Sequence, residues 1–274
     1  MNTLDGKVAV VTGSGRGIGR AIAMKLARHG ARVLINDLDD ALAQQAASEI
    51  CATGGTAAAL AGNVTHADFG RRFVDTALEQ FGGLDIIINN AGYTWDGVIQ
   101  KMTDEQWQAM LDVHMTAPFR LMRAAANFLR DTARQEEQAG CETYRKVVNI
   151  SSTSGLMGNP GQANYSAAKA GITGLTRALA KEWGRYRVNV NSVAFGLIAT
   201  RLTDDPGEAS STIEVDGHTI RVGTSGEVRK NMLAAIPMGR PGTVEEAAGA
   251  VYLFCLPESN YISGQTVICG GGRP

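Results

Sequence analysis

The chain has 274 residues, with 26 basic and 27 acidic side chains and a formal charge of −1. A balance this close to neutral, with no lysine- or arginine-rich block, argues against nucleic-acid or anionic-membrane binding. No apolar run approaches the roughly 18 residues of a membrane span, and the length suits a single α/β domain over 1–274 with no room for a separate catalytic domain.

The opening stretch Met1 to Gly6 enters the first strand without a charged-then-apolar leader, and Gly272-Arg273-Pro274 is no peroxisomal address. Cys51, Cys141, Cys255 and Cys269 lie far apart without a C-x-x-C pair. They read as buried or half-buried thiols of a reduced compartment, so the expected location is cytoplasmic.

Val8 to Val11 is an apolar run followed by Thr12-Gly13-Ser14-Gly15-Arg16-Gly17-Ile18-Gly19 and then the helical pattern Ile22, Ala23, Leu26, Ala27. Strand, glycine turn and helix start together make an anion site, because unpaired N–H groups face outward and glycines admit a pyrophosphate. The strict G-x-G-x-x-G fingerprint is not met, since Ile18 and Arg20 fall where its last glycine belongs, and no Gly-Lys-Ser/Thr follows to make a triphosphate loop.

Gly30 closes that helix, and Arg32 to Ile35 reads as a second strand ending in Asn36-Asp37. Asp37 lies 18 positions beyond Gly19, close to where an acidic side chain accepts hydrogen bonds from an adenosine ribose and repels a 2′-phosphate. This favours NAD(H), while Arg16 in the glycine turn keeps NADP(H) open. A competing reading has Asp37 capping the helix that starts near Asp39.

A short apolar segment, Ala57 to Ala61, precedes Asn63-Val64; Thr65 is expected to cap a helix over Ala67 to Phe81, stopped by Gly82-Gly83. Leu84 to Ile88 reads as a strand buried on both faces, leading into Asn89-Asn90-Ala91-Gly92. Thr103-Asp104-Glu105-Gln106 is a capping box for one long helix through Trp107, Met110, Phe119 and Met122. The charged stretch Arg130 to Lys146 reads as a surface extension before a strand at Val147 to Ile150.

Ser152 follows that strand at its C-terminal end, where ligands sit in open α/β sheets, and Gly155 to Gln162 is a glycine-rich loop. The next helix, about Asn164 to Trp183, carries Tyr165 and Lys169 four residues apart on one face. A cation beside a phenol favours the phenolate, which suits general acid/base chemistry. Val188 to Val193 is a sixth strand. Ile213 to Ile220 reads as a hairpin about Asp216-Gly217, within a segment, 195–240, expected to include a substrate lid. Thr243-Val244-Glu245-Glu246 is a second capping box, and Thr266 to Cys269 the last strand.

Thr-Gly-x-x-x-Gly-x-Gly at Thr12, Gly13, Gly17 and Gly19, Asn89-Asn90-Ala91-Gly92, Ser152, and Tyr165-x-x-x-Lys169 occur in this order, with Ser152 thirteen residues before Tyr165. Together they resemble the short-chain dehydrogenase/reductase family from Lys7 to about Gly272. The alternating strands and helices point to a single doubly wound Rossmann domain, with a mainly parallel seven-stranded sheet and helices on both faces.

The resemblance implies hydride transfer between a nicotinamide cofactor and a carbonyl or secondary alcohol. Tyr165 would exchange the proton, Lys169 lower its pKa and hold the ribose, and Ser152 stabilise the substrate oxygen. It places Gly13, Gly15, Arg16, Gly17, Ile18 and Gly19 at the phosphates, Asn63 and Val64 beside the adenine, and Asn90, Ala91 and Gly92 under the cofactor. Gly196, Ile198 and Thr200 fall on the nicotinamide side, where Ala194-Phe195-Gly196 replaces a usual Pro-Gly turn. His114 stands where the family has a catalytic Asn whose backbone carbonyl holds a relay water; either that carbonyl or the imidazole itself is the expected relay.

Gly158 to Tyr165 is similar to 3-oxoacyl-acyl carrier protein reductases and 3-hydroxyacyl-thioester dehydrogenases, implying a thioester substrate. A steroid, sugar or other small alcohol, or a silent NAD-binding regulatory protein, stays open as an alternative. No metal is required, and a homotetramer is implied by the resemblance alone.

Overall fold

The computed structural model describes residues 3–200, 211–215, 217–223 and 226–273. Its first strand, β1 (Val8–Val11), is buried at all four positions and runs through the glycine turn into α1 (Gly17–Arg28). There follow β2 (Arg32–Ile35), α2 (Asp40–Ala52), β3 (Thr56–Ala59), α3 (Phe69–Phe81) and β4 (Ile86–Asn89). The second half has α4 (Asp104–Leu111), a π-helical turn at Asp112–Thr116, α5 (Ala117–Gln138), β5 (Arg145–Ser152), α6 (Thr153–Met157), α7 (Ala163–Trp183) and β6 (Val188–Phe195). A hairpin of β7 (Ser211–Val215) and β8 (His218–Val222), then α8 (Gly226–Ala234), α9 (Val244–Leu253) and β9 (Thr266–Cys269) complete the described chain.

Seven strands form one sheet in the order β3-β2-β1-β4-β5-β6-β9, each pair parallel. A parallel sheet needs helices on both faces, which is why β1 and β4 read as nearly continuous apolar runs. One face is closed by α1, α2 and α9, through Ile22, Leu26, Ile50 and Val251. The other is closed by α3, α5 and α7 through Phe69, Phe73, Leu121 and Trp183. Strand order reverses between β1 and β4, so the crevice beyond their C-terminal ends is where such sheets take ligands.

Several boundaries differ from the sequence reading. The helix expected from Ala67 begins at Phe69, and Thr65 does not cap it: its N–H and hydroxyl both donate to Asn63 Oδ1, at 3.0 and 2.9 Å. The single long helix after Thr103 is interrupted by the π turn, although the capping box that opens it is formed. The hairpin strands pair antiparallel as expected, but Asp216 at the turn and 201–210 of the lid segment lie outside the described residues. Cys51 and Cys141 are exposed rather than half-buried.

The largest departure concerns Arg145 and Lys146, read as surface residues but each only 4% exposed within β5. Arg145 makes a two-pronged ion pair with Glu136 at the end of α5, at 2.8 and 2.6 Å. Lys146 Nζ donates to Asn189 Oδ1, Ser259 Oγ and Asn260 Oδ1 at 2.9, 3.0 and 2.8 Å, using all three of its protons. Burial lowers its pKa to about 8.

Lys146→Met strands three acceptors, so a loss of about 1–3 kcal/mol in urea unfolding is expected. The pH dependence has a definite sign. Lys146 sheds its proton above about 8 in the fold but holds it to about 10.4 in the unfolded chain, so wild-type stability gains a rising contribution between those values. That contribution should vanish in the variant.

Candidate active site

The glycine turn is held by polar side chains from neighbouring strand ends. Thr12 Oγ1 accepts from the N–H groups of Asn90 and Ala91, both at 3.0 Å, and Asn90 Nδ2 returns bonds to the carbonyls of Thr12 and Gly13 at 3.0 and 2.8 Å. Gly13 adopts φ +60°, and a Cβ there would sit 2.7 Å from Ala91 Cα. Asn90 therefore acts on the turn, fixing its distance from the loop after β4.

Asn36, which the sequence reading passed over, does the same from β2. Its Oδ1 accepts from Gly13 N at 3.2 Å, while Nδ2 donates to the carbonyls of Leu60 and Gly62, both at 3.1 Å. The signal available was its place at a strand end beside Asp37.

Asp37 is not the cap of α2. Asp39 is, accepting from Ala41 and Leu42 N–H, which sets that competing reading aside. Asp37 instead accepts from Gly15 N at 3.1 Å and lies 3.9 Å from Arg16 Nη2. A Cβ at Gly15 would meet that carboxylate at 2.8 Å, so the glycine is required by Asp37.

A nucleotide pyrophosphate suits this turn on two observations. Gly17, at φ +57°, has open space where its Cβ would be. The first turn of α1 has neither an acidic residue nor a side-chain cap from Arg16, so its N–H groups remain for an anion. Ile18 packs toward the core behind the turn, and Gly19 is buried against Gly13 and Asn90.

Asn63, expected beside the adenine, accepts from the Thr65 N–H and hydroxyl, and Val64 packs against the core. On the other side, Gly196 follows β6 so closely packed that a Cβ there would lie 2.9 Å from Gly270 Cα, which requires glycine at position 196. The side chain of Ile198 is 3% exposed and belongs to the core. Thr200 is the last described residue before 201–210.

Ser152, Tyr165 and Lys169 come together at the C-terminal end of β5. Ser152 Oγ accepts from Ser154 N at 3.1 Å and lies 3.4 Å from the Phe195 carbonyl, which aims it across the strand end. Burial pushes the Tyr165 phenol up to about 12, against a hydrogen bond with Ser152 that pulls it down. Lys169 Nζ donates to the Ile150 carbonyl at 2.7 Å and lies 5.6 Å from the Tyr165 ring centre. Burial lowers its pKa to about 7. Desolvation acts on both groups and favours their neutral forms, so Lys169 is not seen to lower the phenol as expected.

His114 joins the set from the π turn, the kind of interruption that recurs at functional sites. His114 is 3% exposed and its ring stands edge-on to Tyr165 at 5.0 Å; Nε2 bonds to the Tyr93 carbonyl at 2.8 Å, and Nδ1 has no partner among the described residues. Bonding to a carbonyl puts the ring proton on Nε2. A Cβ at Gly92 would overlap this ring, so the glycine makes room for the imidazole. Burial, then the nearby Lys169, hold the His114 pKa well below its ordinary value.

The short chain dehydrogenase family model matches residues 7–210. The chain belongs to this family. It is an NAD(P)-dependent dehydrogenase/reductase, and its curated relatives match it nearly end to end. It is 38% identical over 274 residues to a 3-oxoacyl-[acyl-carrier-protein] reductase of Synechocystis, covering 99% of this chain and 98% of the relative. The corresponding protein of Vibrio cholerae is 37% identical, covering 98% of each chain, and that of Staphylococcus aureus Mu50 is 34% identical, covering 97% of each. Among the described residues, no helix is long and apolar enough to cross a membrane.

A neutral imidazole with its proton committed to Tyr93 is a poor shuttle near neutrality. His114→Asn is therefore expected to keep kcat within about threefold and to leave the kcat–pH profile unchanged around 6.5, the ordinary histidine pKa. A limb near that pH present only in the unmodified enzyme would assign the relay to the imidazole instead.

Proposed function

We propose that the protein reduces the ketone of a 3-oxoacyl thioester, carried on acyl carrier protein or coenzyme A, to the 3-hydroxyacyl product. The observation that carries this reading is the Ser152–Tyr165–Lys169 cluster at the sheet's C-terminal edge, in a chain similar along its whole length to proteins named for that reaction. A bound reduced nicotinamide supplies the hydride that adds to the carbonyl carbon.

The remaining chemistry belongs to the chain. Ser152 orients the carbonyl oxygen by hydrogen bonding, and Tyr165, protonated at neutral pH, gives its phenolic proton to that oxygen as the new C–H bond forms. Lys169, buried and bonded to the Ile150 carbonyl, offers its remaining N–H groups to the ribose hydroxyls. Acceptors there favour its charged form, which in turn stabilises the phenolate left after proton transfer. Solvent then resupplies the proton to Tyr165 by way of Lys169 and a water held by the backbone carbonyl at the π turn, while His114 Nε2 donates to the Tyr93 carbonyl beside it.

For the cofactor, Asp37 supports NAD(H): a carboxylate at the end of β2 accepts from ribose hydroxyls and repels a 2′-phosphate. Arg16 favours the second reading, NADP(H), because its guanidinium lies 3.9 Å from that carboxylate and is half-exposed. We take the first, since Asp37 is fixed by Gly15 N–H. A substrate lid within 195–240 is part of the same reading. A cytoplasmic homotetramer is also part of this reading, supported by the apolar surface left on edge strand β9 at Val267 and Ile268, and by exposed Tyr261. Light scattering at micromolar concentration should give more than the monomer mass; a monomer would refute it.

The reading is tested by following oxidation of NADH and NADPH with an acetoacetyl thioester. Turnover with NADH preferred is the expected result; no turnover with either cofactor would overturn the thioester reading. Asp37→Ala should narrow the preference by about tenfold or more in kcat/KM, through loss of one repulsive charge. Tighter binding of NADPH to the unmodified protein would give the cofactor choice to Arg16.

A further inference from the structure

The β7–β8 hairpin touches the body of the protein at one informative corner. His218 Nε2 lies 2.9 Å from Glu105 Oε1 in the first turn of α4, and the His218 ring lies 5.2 Å from that of Trp95, with planes tilted by 45°. A two-stranded ribbon is marginally stable alone in water, so its position depends on what it docks against.

Trp95 and Glu105 belong to a frame built around Tyr165. The Trp95 carbonyl accepts from Asn164 Nδ2 at 3.0 Å, and the same amide donates to the Gln106 carbonyl at 2.9 Å. Both Asp96 oxygens accept from Gln162 Nε2, and Gly97 N donates to the Gly161 carbonyl at 2.8 Å. Two residues before Trp95, the Tyr93 carbonyl meets His114, which stands against Tyr165. The hairpin thus lands on the wall that approaches the phenol from the loop after β4, remote in sequence from the glycine turn.

We propose that His218 clasps the hairpin to Trp95 and Glu105 as a lid over the Tyr165 site, and that this clasp sets how tightly the carbonyl substrate is held. The inference rests on the thioester reading for the identity of that substrate. The cofactor cradle at Gly13 to Gly19 shares no contact with the clasp, so substrate and cofactor binding should respond differently to its loss.

The test compares His218→Ala, Glu105→Ala, the double variant and Glu105→Gln with the unmodified enzyme. Each alanine variant should raise KM for the acetoacetyl thioester about three- to tenfold, as expected for one exposed polar pair with a ring contact, while kcat changes less. The double variant should be no worse than the worse single one, and Glu105→Gln, which keeps an acceptor oxygen, should retain most of the wild-type KM. Cofactor affinity by fluorescence titration without substrate should not move. Limited trypsin digestion, read by mass spectrometry, should cut the hairpin faster in both alanine variants. An unchanged KM, independent effects in the double variant, or an equal shift in cofactor affinity would overturn the clasp. If the unmodified enzyme does not turn over the thioester, the functional reading fails; equal digestion rates would then still refute the clasp, and faster ones uphold it.

Discussion

Two parallel strands that part at their C-terminal ends leave a crevice, and here the Thr12 hydroxyl spans it by accepting the N–H groups of Asn90 and Ala91. Together with the Asn90 amide, which donates to the Thr12 and Gly13 carbonyls, that bridge fixes the spacing of the glycine turn and the loop after β4. With it, Gly92 is set where the His114 ring needs space, His114 meets Tyr93, and the same ring stands edge-on to Tyr165. A bond at the crevice beyond β1 and β4 is thereby connected, through packed groups, to Tyr165, the proposed proton donor.

The electrostatics of the second half of the site are dominated by burial. It holds the phenol of Tyr165 at about 12 and the ammonium of Lys169 at about 7, so desolvation favours the neutral form of each. For a reductase this has a chemical use: the phenol remains protonated across the physiological range and is a ready donor. Lys169 becomes the adjustable member, because acceptors placed near its Nζ favour the cation and so make the departing proton less costly.

The fold was legible because its central strands β1 and β4 are buried on both faces and therefore read as apolar runs, and because the turns carry glycine where φ is positive, as at Gly13 and Gly17. Ser152, Tyr165 and Lys169 were legible for a different reason: their spacing places them at one sheet edge. What escaped depends on partners distant in sequence. Arg145 and Lys146 carry charge and so suggest surface, but Glu136, Asn189, Ser259 and Asn260 satisfy them inside. The π turn around His114 changes hydrogen-bond register without interrupting helical composition, so periodicity ran straight through it. Asn36 has an ordinary strand-end identity, and only the convergence of Gly13, Leu60 and Gly62 reveals what it holds.

The central claim is that the phenolic proton of Tyr165 completes the reduction. Tyr165→Phe removes one oxygen and little volume, leaving the glycine turn, Asn36 and Lys169 in place. Measured under saturating reduced cofactor and thioester, its kcat should fall by about two to four orders of magnitude, with cofactor affinity unchanged. Retention of more than about a tenth of the wild-type kcat would contradict the account, since a general acid of ordinary efficiency contributes far more than that.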